Sequence, residues 1–185
     1  MPEPEEPLPE VYVQPGESHL VPQPTVLRTV LGSCVGVTFL VPRLGIGALC
    51  HPMLPRWPAH RLPGLSVFAG RRYVDFAIRD MAHQLDKLGA HRRETEVKLF
   101  GGADVLSVGD GFSRPTVGKL NCESAIKVLD EEGFIVSACS LGGDSGVHIQ
   151  FETGTGEVLL RRLDSSAKAA NPKTRREPHR RGRRH

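Results

Sequence analysis

The stretch TVLGSCVGVTFLVPRLGIGALCH, residues 29–51, decides how this chain is read. A β-branched, apolar run over residues 25–31 stops at Gly32, and two further apolar runs, 34–41 and 44–50, flank Pro42-Arg43. Short runs rich in Val, Leu, Ile and Phe and bounded by turn residues read as strands. The segment therefore predicts a strand, a tight bend at Gly32-Ser33 and a β-hairpin. Pro-Arg is not a favoured two-residue turn, so a four-residue loop over 41–44 is expected. A hairpin centred there sets Cys34 directly opposite His51, with Cβ atoms ~4.5–5.5 Å apart on one sheet face. An odd-length loop or a bulge would send the two side chains to opposite faces.

A thiol facing an imidazole is the pairing that cysteine hydrolases use. Cysteine is only a few per cent ionised at neutral pH and needs a base or a cation beside it to become a nucleophile. The bend at Gly32-Ser33 can expose the Cys34 sulfur and aim backbone N–H groups at a developing oxyanion. Against this stands the plainer reading of Cys34 as a small buried hydrophobe, the usual fate of a free cysteine. A catalytic histidine also needs an orienting acceptor. Thr29 supplies the hydroxyl nearest to Cys34 on the preceding strand, although a β-branched strand residue needs no such role.

Other candidates are weaker. Cys50 adjoins His51, and neighbours on a strand face opposite ways, so Cys50 is expected in the core. Cys122 is read in the first turn of a helix capped by Asn121, where the dipole lowers a thiol pKa, which makes it a rival nucleophile. A zinc site of Cys34, Cys50 and His51 lacks CxxC or HxxxH spacing. No metal or other cofactor is expected. Gly101-Gly102-Ala103-Asp104 suits either a tight turn or an anion site built from backbone N–H groups. His148, alternating with Val147 and Ile149, is expected to face outward.

Composition bounds the rest. A chain of 185 residues without internal repeats suits one domain. Its formal charge of +3 is unevenly spread. Residues 165–185 hold eight Lys/Arg against Glu177 alone, whereas residues 1–24 carry five Glu, seven prolines and no Lys or Arg. The centre is nearly neutral, so the basic balance belongs to the tail and does not argue for a nucleic-acid-binding domain. The tail has no interleaved aromatics to stack on bases. Four cysteines without CxxC pairs, and no apolar N-terminal leader, suit free thiols in a cytoplasmic setting. No apolar run reaches the roughly 18 residues of a membrane span.

Outside the hairpin, apolar residues at helical spacing predict a helix over 73–88 closed by Gly89, and a second from Asn121 to Gly133. Strands are predicted at 95–100, 134–139, 147–151 and 157–160, with a weak edge strand at Val11-Tyr12-Val13. Pro52, Pro55, Pro58 and Pro63 around Trp57 predict an irregular loop beside the site. The expected fold is α+β, with mixed, largely antiparallel β-sheets and about two flanking helices. An extension over 1–24 and a tail over 165–185 are expected to flank a domain of residues 25–164.

Four motifs occur in order: TVLGSCV at 29–35, HPMLP at 51–55, KLFGGA at 98–103, and Leu141-Gly142-Gly143 with Gly146 and Phe151. Together, over residues 11–160, they resemble the CheD family of bacterial chemoreceptor glutamine deamidases. The resemblance implies a cysteine-histidine deamidase-like fold. Cys34 would be the nucleophile, His51 the proton carrier, and methyl-accepting chemotaxis receptors the substrates. It also implies, for some members, a CheC-type phosphatase partner. Two positions depart from the pattern. The family's third catalytic residue is a threonine that some members carry six positions before the cysteine, where this chain has Arg28; Thr29 lies five before. An Arg-Asn pair in the late motif is here Leu120-Asn121.

Overall fold

The computed structural model describes residues 6–58, 66–104 and 115–163. Its strands run in chain order as β1 (Glu10–Tyr12), β2 (Ser18–Pro22), β3 (Val26–Leu31), β4 (Val35–Val41), β5 (Ile46–Cys50), β6 (Glu96–Gly101), β7 (Val136–Leu141), β8 (Val147–Glu152) and β9 (Val158–Arg162). A one-turn helix α1 (Val67–Gly70) precedes α2 (Val74–Lys87), and α3 (Val117–Glu131) lies between β6 and β7. The strands form a four-stranded sheet, β1-β3-β8-β9, and a five-stranded sheet, β2-β5-β4-β6-β7. Pairing is antiparallel except at β1–β3 and β6–β7. This is the mixed α+β architecture expected from the sequence.

Alternation along β4 and β5 builds three layers. Val35, Val37, Phe39 and Val41 of β4, with Ala48 and Cys50 of β5, face Val74, Ile78, Met81 and Leu85 of α2 and Ala125, Val128 and Leu129 of α3. The opposite face, with Leu40 and Leu49, packs on Leu27, Leu31, Ile149 and Phe151 of the four-stranded sheet. Gly36 and Gly47 lie on this second face. A Cβ at Gly36 would stand 2.8 Å from Leu31 Cδ1, and one at Gly47 2.4 Å from Thr153 Cγ2. The bare backbones let the two sheets approach here.

Several boundaries differ from expectation. Residues 18–22, set apart in sequence as part of an extension, form β2 and pair with β5 from Ser18↔Cys50 to Pro22↔Ile46. Prolines masked this strand, since Pro22 sits at its end and tolerates the missing N–H. Helix α3 starts four residues before Asn121, because the Thr116 side chain accepts from Lys119 N at 3.3 Å and acts as the cap. Asn121 is therefore an internal helix residue, and Cys122 lies beyond the first turn. Pro63 and the basic tail fall outside the described residues.

The N-terminal part of α3 presses on the loop after β6. A Cβ at Gly118 would meet Ala103 O and Gly102 O at 2.6 Å each. Gly→Ala inside a helix normally gains about 1 kcal/mol, but here the clashing atoms are backbone. Gly118→Ala is expected to destabilise by about 2 kcal/mol instead, read as a lowered denaturant midpoint at unchanged slope.

Candidate active site

The β3–β8 ladder runs unbroken from Val26↔Glu152 to Leu31↔Val147. Leu27, Thr29 and Leu31 thus face the inter-sheet core, while Arg28 faces outward and pairs with Glu10 at 2.7 Å. No bulge is needed to turn Thr29 inward.

Thr29 is fully buried, and its Oγ1 lies 2.7 Å from Val13 O and 2.8 Å from His51 Nδ1. A carbonyl only accepts, so the threonine proton goes to Val13 O and the hydroxyl oxygen accepts from His51 Nδ1–H. This network assigns the neutral ring a proton on Nδ1 and a lone pair on Nε2. His51 is 1% exposed, and its Nε2 is buried without a hydrogen bond. The imidazole is thus held from one side, and its basic nitrogen is not tied to the Cys34 thiol at rest. Its backbone is fixed too: His51 N donates to Glu17 O at 2.9 Å, and Gly16 N to His51 O at 2.7 Å.

The hairpin register differs from the expected one. β4 and β5 pair as Val41↔Ile46 through Val37↔Cys50, so Cys34 does not sit directly opposite His51. The turn occupies 42–45: Pro42–Leu44 form a 3-10 turn closed by Gly45 at φ +62°, whose N–H donates to Pro42 O at 3.0 Å. Gly45 is the turn's only residue suited to that left-handed conformation, and including it moves the loop on by one. The loop keeps its even length, and Cys34, in the turn before β4, packs against the same inter-sheet cluster as Leu40 and Leu49. Val35 N donates to Pro52 O at 3.3 Å, which still joins the backbones beside Cys34 and His51.

The turn carrying Cys34 is held by its carbonyls. Gly32 O accepts from Ala103 N at 2.8 Å, Ser33 O from Asn121 Nδ2 at 2.8 Å, and Cys34 O from Gly102 N at 2.7 Å. In a trans peptide the C=O and the following N–H point opposite ways. Anchoring the carbonyls of Gly32 and Ser33 therefore directs the N–H groups of Ser33 and Cys34 away from Ala103 and Asn121. The paired glycines bind no anion through Gly102 and Ala103 N–H, because both donors are used on this turn. Gly101 and Gly102 adopt φ +94° and +66°, and a Cβ on Gly101 would stand 2.4 Å from Cys34 O.

Burial sets the charge state. It pushes the half-buried Cys34 thiol above its ordinary pKa, and it pushes His51 below 6.5 despite opposing pulls from Val13 O and the Glu17 carboxylate. At neutral pH the pair rests as thiol and neutral imidazole, suited to general-base rather than ion-pair activation. A histidine with a depressed folded pKa contributes stability that is complete above 6.5 and lost as pH falls through the folded value. Thermal stability is accordingly expected to drop on acidification below pH 6.5, and the part due to His51 to vanish in His51→Gln, as read by calorimetry across pH.

The remaining cysteines sort by environment. Cys50 is fully buried on the helix-facing side, with its thiol pushed up to about 12 by burial. Cys122, the rival nucleophile, has its pKa raised by burial rather than lowered by a helix terminus. His148 lies between buried Val147 and Ile149 and faces outward as expected. Among the described residues, no three His, Cys, Asp or Glu side chains are placed to share a metal ion, and no helix is long and apolar enough to cross a membrane. Val13 and Asn121 were not singled out as site residues in the sequence. Only the weak alternation at Val11-Tyr12-Val13 points to the first, and by local pattern the second reads as a helix cap.

Fold and site together define an α+β protein whose two sheets meet at a threonine-oriented histidine beside a turn-borne cysteine. The family model described as CheD chemotactic sensory transduction matches residues 53–162. The chain is 45% identical over 157 residues to a probable chemoreceptor glutamine deamidase, CheD 2, of Geobacter sulfurreducens, covering 85% of this chain and 92% of that one. It is 33% identical over 168 residues to the probable CheD of Maridesulfovibrio salexigens, covering 89% and 98%. The chain belongs to the CheD family. Among solved structures, the hypothetical protein YfiH of Bacillus licheniformis is similar at TM-score 0.44 and 11% identity, covering 66% of this chain and 49% of that one.

Proposed function

We propose that this chain hydrolyses the side-chain amide of selected glutamines on methyl-accepting chemotaxis receptors, through a Cys34 thioester. The observation that carries the reading is the Thr29–His51 hydrogen bond, which leaves Nε2 as the free base. The names of the relatives supply the substrate class.

In this mechanism His51 Nε2 takes the Cys34 proton as sulfur attacks the glutamine amide carbon. The N–H groups of Ser33 and Cys34, at the Gly32 bend, receive the oxyanion. Collapse breaks the C–N bond, and the imidazolium returns its proton to the leaving group, which departs as ammonia. A water then gives a proton to Nε2 and attacks the thioester, releasing glutamate and restoring the thiol. Thr29 holds the ring throughout and exchanges no proton. No metal or cofactor enters these steps.

The receptor's cytoplasmic domain is the expected partner, which sets the reaction in the cytoplasm. A CheC-type phosphatase is a second partner suggested by the family, to be tested by co-purification. The deciding experiment incubates the protein with receptor fragments. It follows ammonia release together with the mass gain that marks conversion of glutamine to glutamate. Deamidation that persists in Cys34→Ala would remove the thioester from the proposal.

The acid limb of this activity should lie below pH 6.5, because only the neutral imidazole accepts the thiol proton and burial lowers its pKa. A kcat/KM profile already falling well above pH 6.5 would contradict it.

A further inference from the structure

The buried amide of Asn121 has no part in the chemistry above, yet it joins the two segments that carry it. Asn121 is fully buried in α3, and its Nδ2 donates to Ser33 O at 2.8 Å and to Met53 O at 2.9 Å. Ser33 directly precedes Cys34, and Met53 lies two residues after His51. One helix residue thus spends both amide protons on a clamp between the turn of the thiol and the segment leaving the imidazole.

Its neighbours act on the same region. Ser124, one turn further along the helix, donates to Pro55 O at 2.5 Å. Gly118, one turn before, lets the helix touch the backbone of Gly102 and Ala103, whose N–H groups hold Cys34 O and Gly32 O. The two side-chain contacts differ in reach. Ser124 grips only the segment after His51, whereas Asn121 alone also fixes the peptide between Ser33 and Cys34. Rotation of that peptide would turn the Cys34 N–H and shift the sulfur. Asn121 Oδ1 is buried without a hydrogen bond, and an unsatisfied buried acceptor is destabilising. Stability alone therefore gives poor reason for an amide here, and the donor pair gives a good one.

We infer that Asn121 is a positioning residue for Cys34, setting the orientation of the 33–34 peptide relative to His51 through its paired hydrogen bonds to Ser33 O and Met53 O. The inference rests on Cys34 being the nucleophile. It assigns Asn121 no contact with substrate.

The test compares Asn121→Leu, which keeps the approximate shape and removes both donors and the orphan acceptor, with Ser124→Ala, which removes the Pro55 contact alone. In receptor-fragment deamidation, Asn121→Leu is expected to lose about 100-fold in kcat with KM within about threefold, and Ser124→Ala to stay within about threefold of wild type. The pH dependence of Cys34 alkylation supplies a readout that a merely structural role would not move. Its midpoint should shift in Asn121→Leu and hold in Ser124→Ala.

Asn121→Asp keeps the shape and serves if the leucine variant does not fold. Its protonated carboxyl can donate to only one of the two carbonyls, so intermediate activity falling as pH rises is expected. Wild-type kcat and an unmoved alkylation midpoint in folded Asn121→Leu or Asn121→Asp would overturn the inference. Wild-type deamidation in Cys34→Ala would instead overturn the nucleophile assignment, so the two failures are distinguishable.

Discussion

Cys34→Ala is expected to lower receptor-glutamine deamidation by about 10^4-fold or more, with folding intact, since removing a nucleophile leaves only binding and oxyanion contributions. The fold should survive because Cys34 is half-buried at a turn and its anchoring contacts are made by backbone. Alanine keeps the carbonyl that accepts from Gly102 N. Removing the exposed thiol in Cys139→Ala should leave the rate unchanged. His51→Ala belongs with Cys34→Ala, because members of one catalytic unit do not contribute additively. The double variant should be no slower than the worse single one, as measured by ammonia release at saturating receptor fragment. Additive losses would show that the two residues do not act in one step.

The second large effect is expected at Thr29→Val. Valine matches threonine in shape but cannot accept from His51 Nδ1 or donate to Val13 O, which leaves the ring only its longer 3.4 Å contact with Val13 O. Loss of such an orienting partner costs roughly 10–100-fold in activity, and more where the tautomer is lost. A fall of about 100-fold in kcat with little change in KM is expected. Val13 O keeps only its long 3.4 Å contact with His51 Nδ1, which should also cost about 1 kcal/mol of stability. Thr29→Ser retains the hydroxyl and should recover most of the rate. If valine and threonine turn over equally, His51 is oriented by something else, and the tautomer argument falls with it.

Both effects follow from a site built where three pieces of chain meet. The four-stranded sheet supplies Thr29, the residue directly after β5 of the five-stranded sheet is His51, and the turn between β3 and β4 supplies Cys34. The Thr29–His51 hydrogen bond therefore bridges the inter-sheet core, and Gly36 and Gly47 lie on the same inner face where the sheets come close. Burial that lowers the histidine pKa and raises that of the thiol comes from the same apolar packing that holds the sheets together. In the proposed mechanism reactivity and stability are thereby coupled, and larger residues at these two glycines should disturb both.

Taken alone, the sequence determined the three strands within residues 25–50, the two long helices and the mixed α+β class. Those depend on local periodicity: alternation along β4 and β5, helical spacing in α2 and α3, and glycine at the helix ends. It also singled out Cys34, His51 and Thr29 as residues able to work together. Tertiary structure decided the rest. The register of β4 on β5, Val41↔Ile46 through Val37↔Cys50, was settled in the folded sheet, with Gly45 in the left-handed place of the turn. Thr29 faces inward because β3 pairs without a break to β8, which lies more than a hundred residues later. Asn121 and Val13 join the site only through contacts between segments distant in sequence, and no local pattern encodes such contacts.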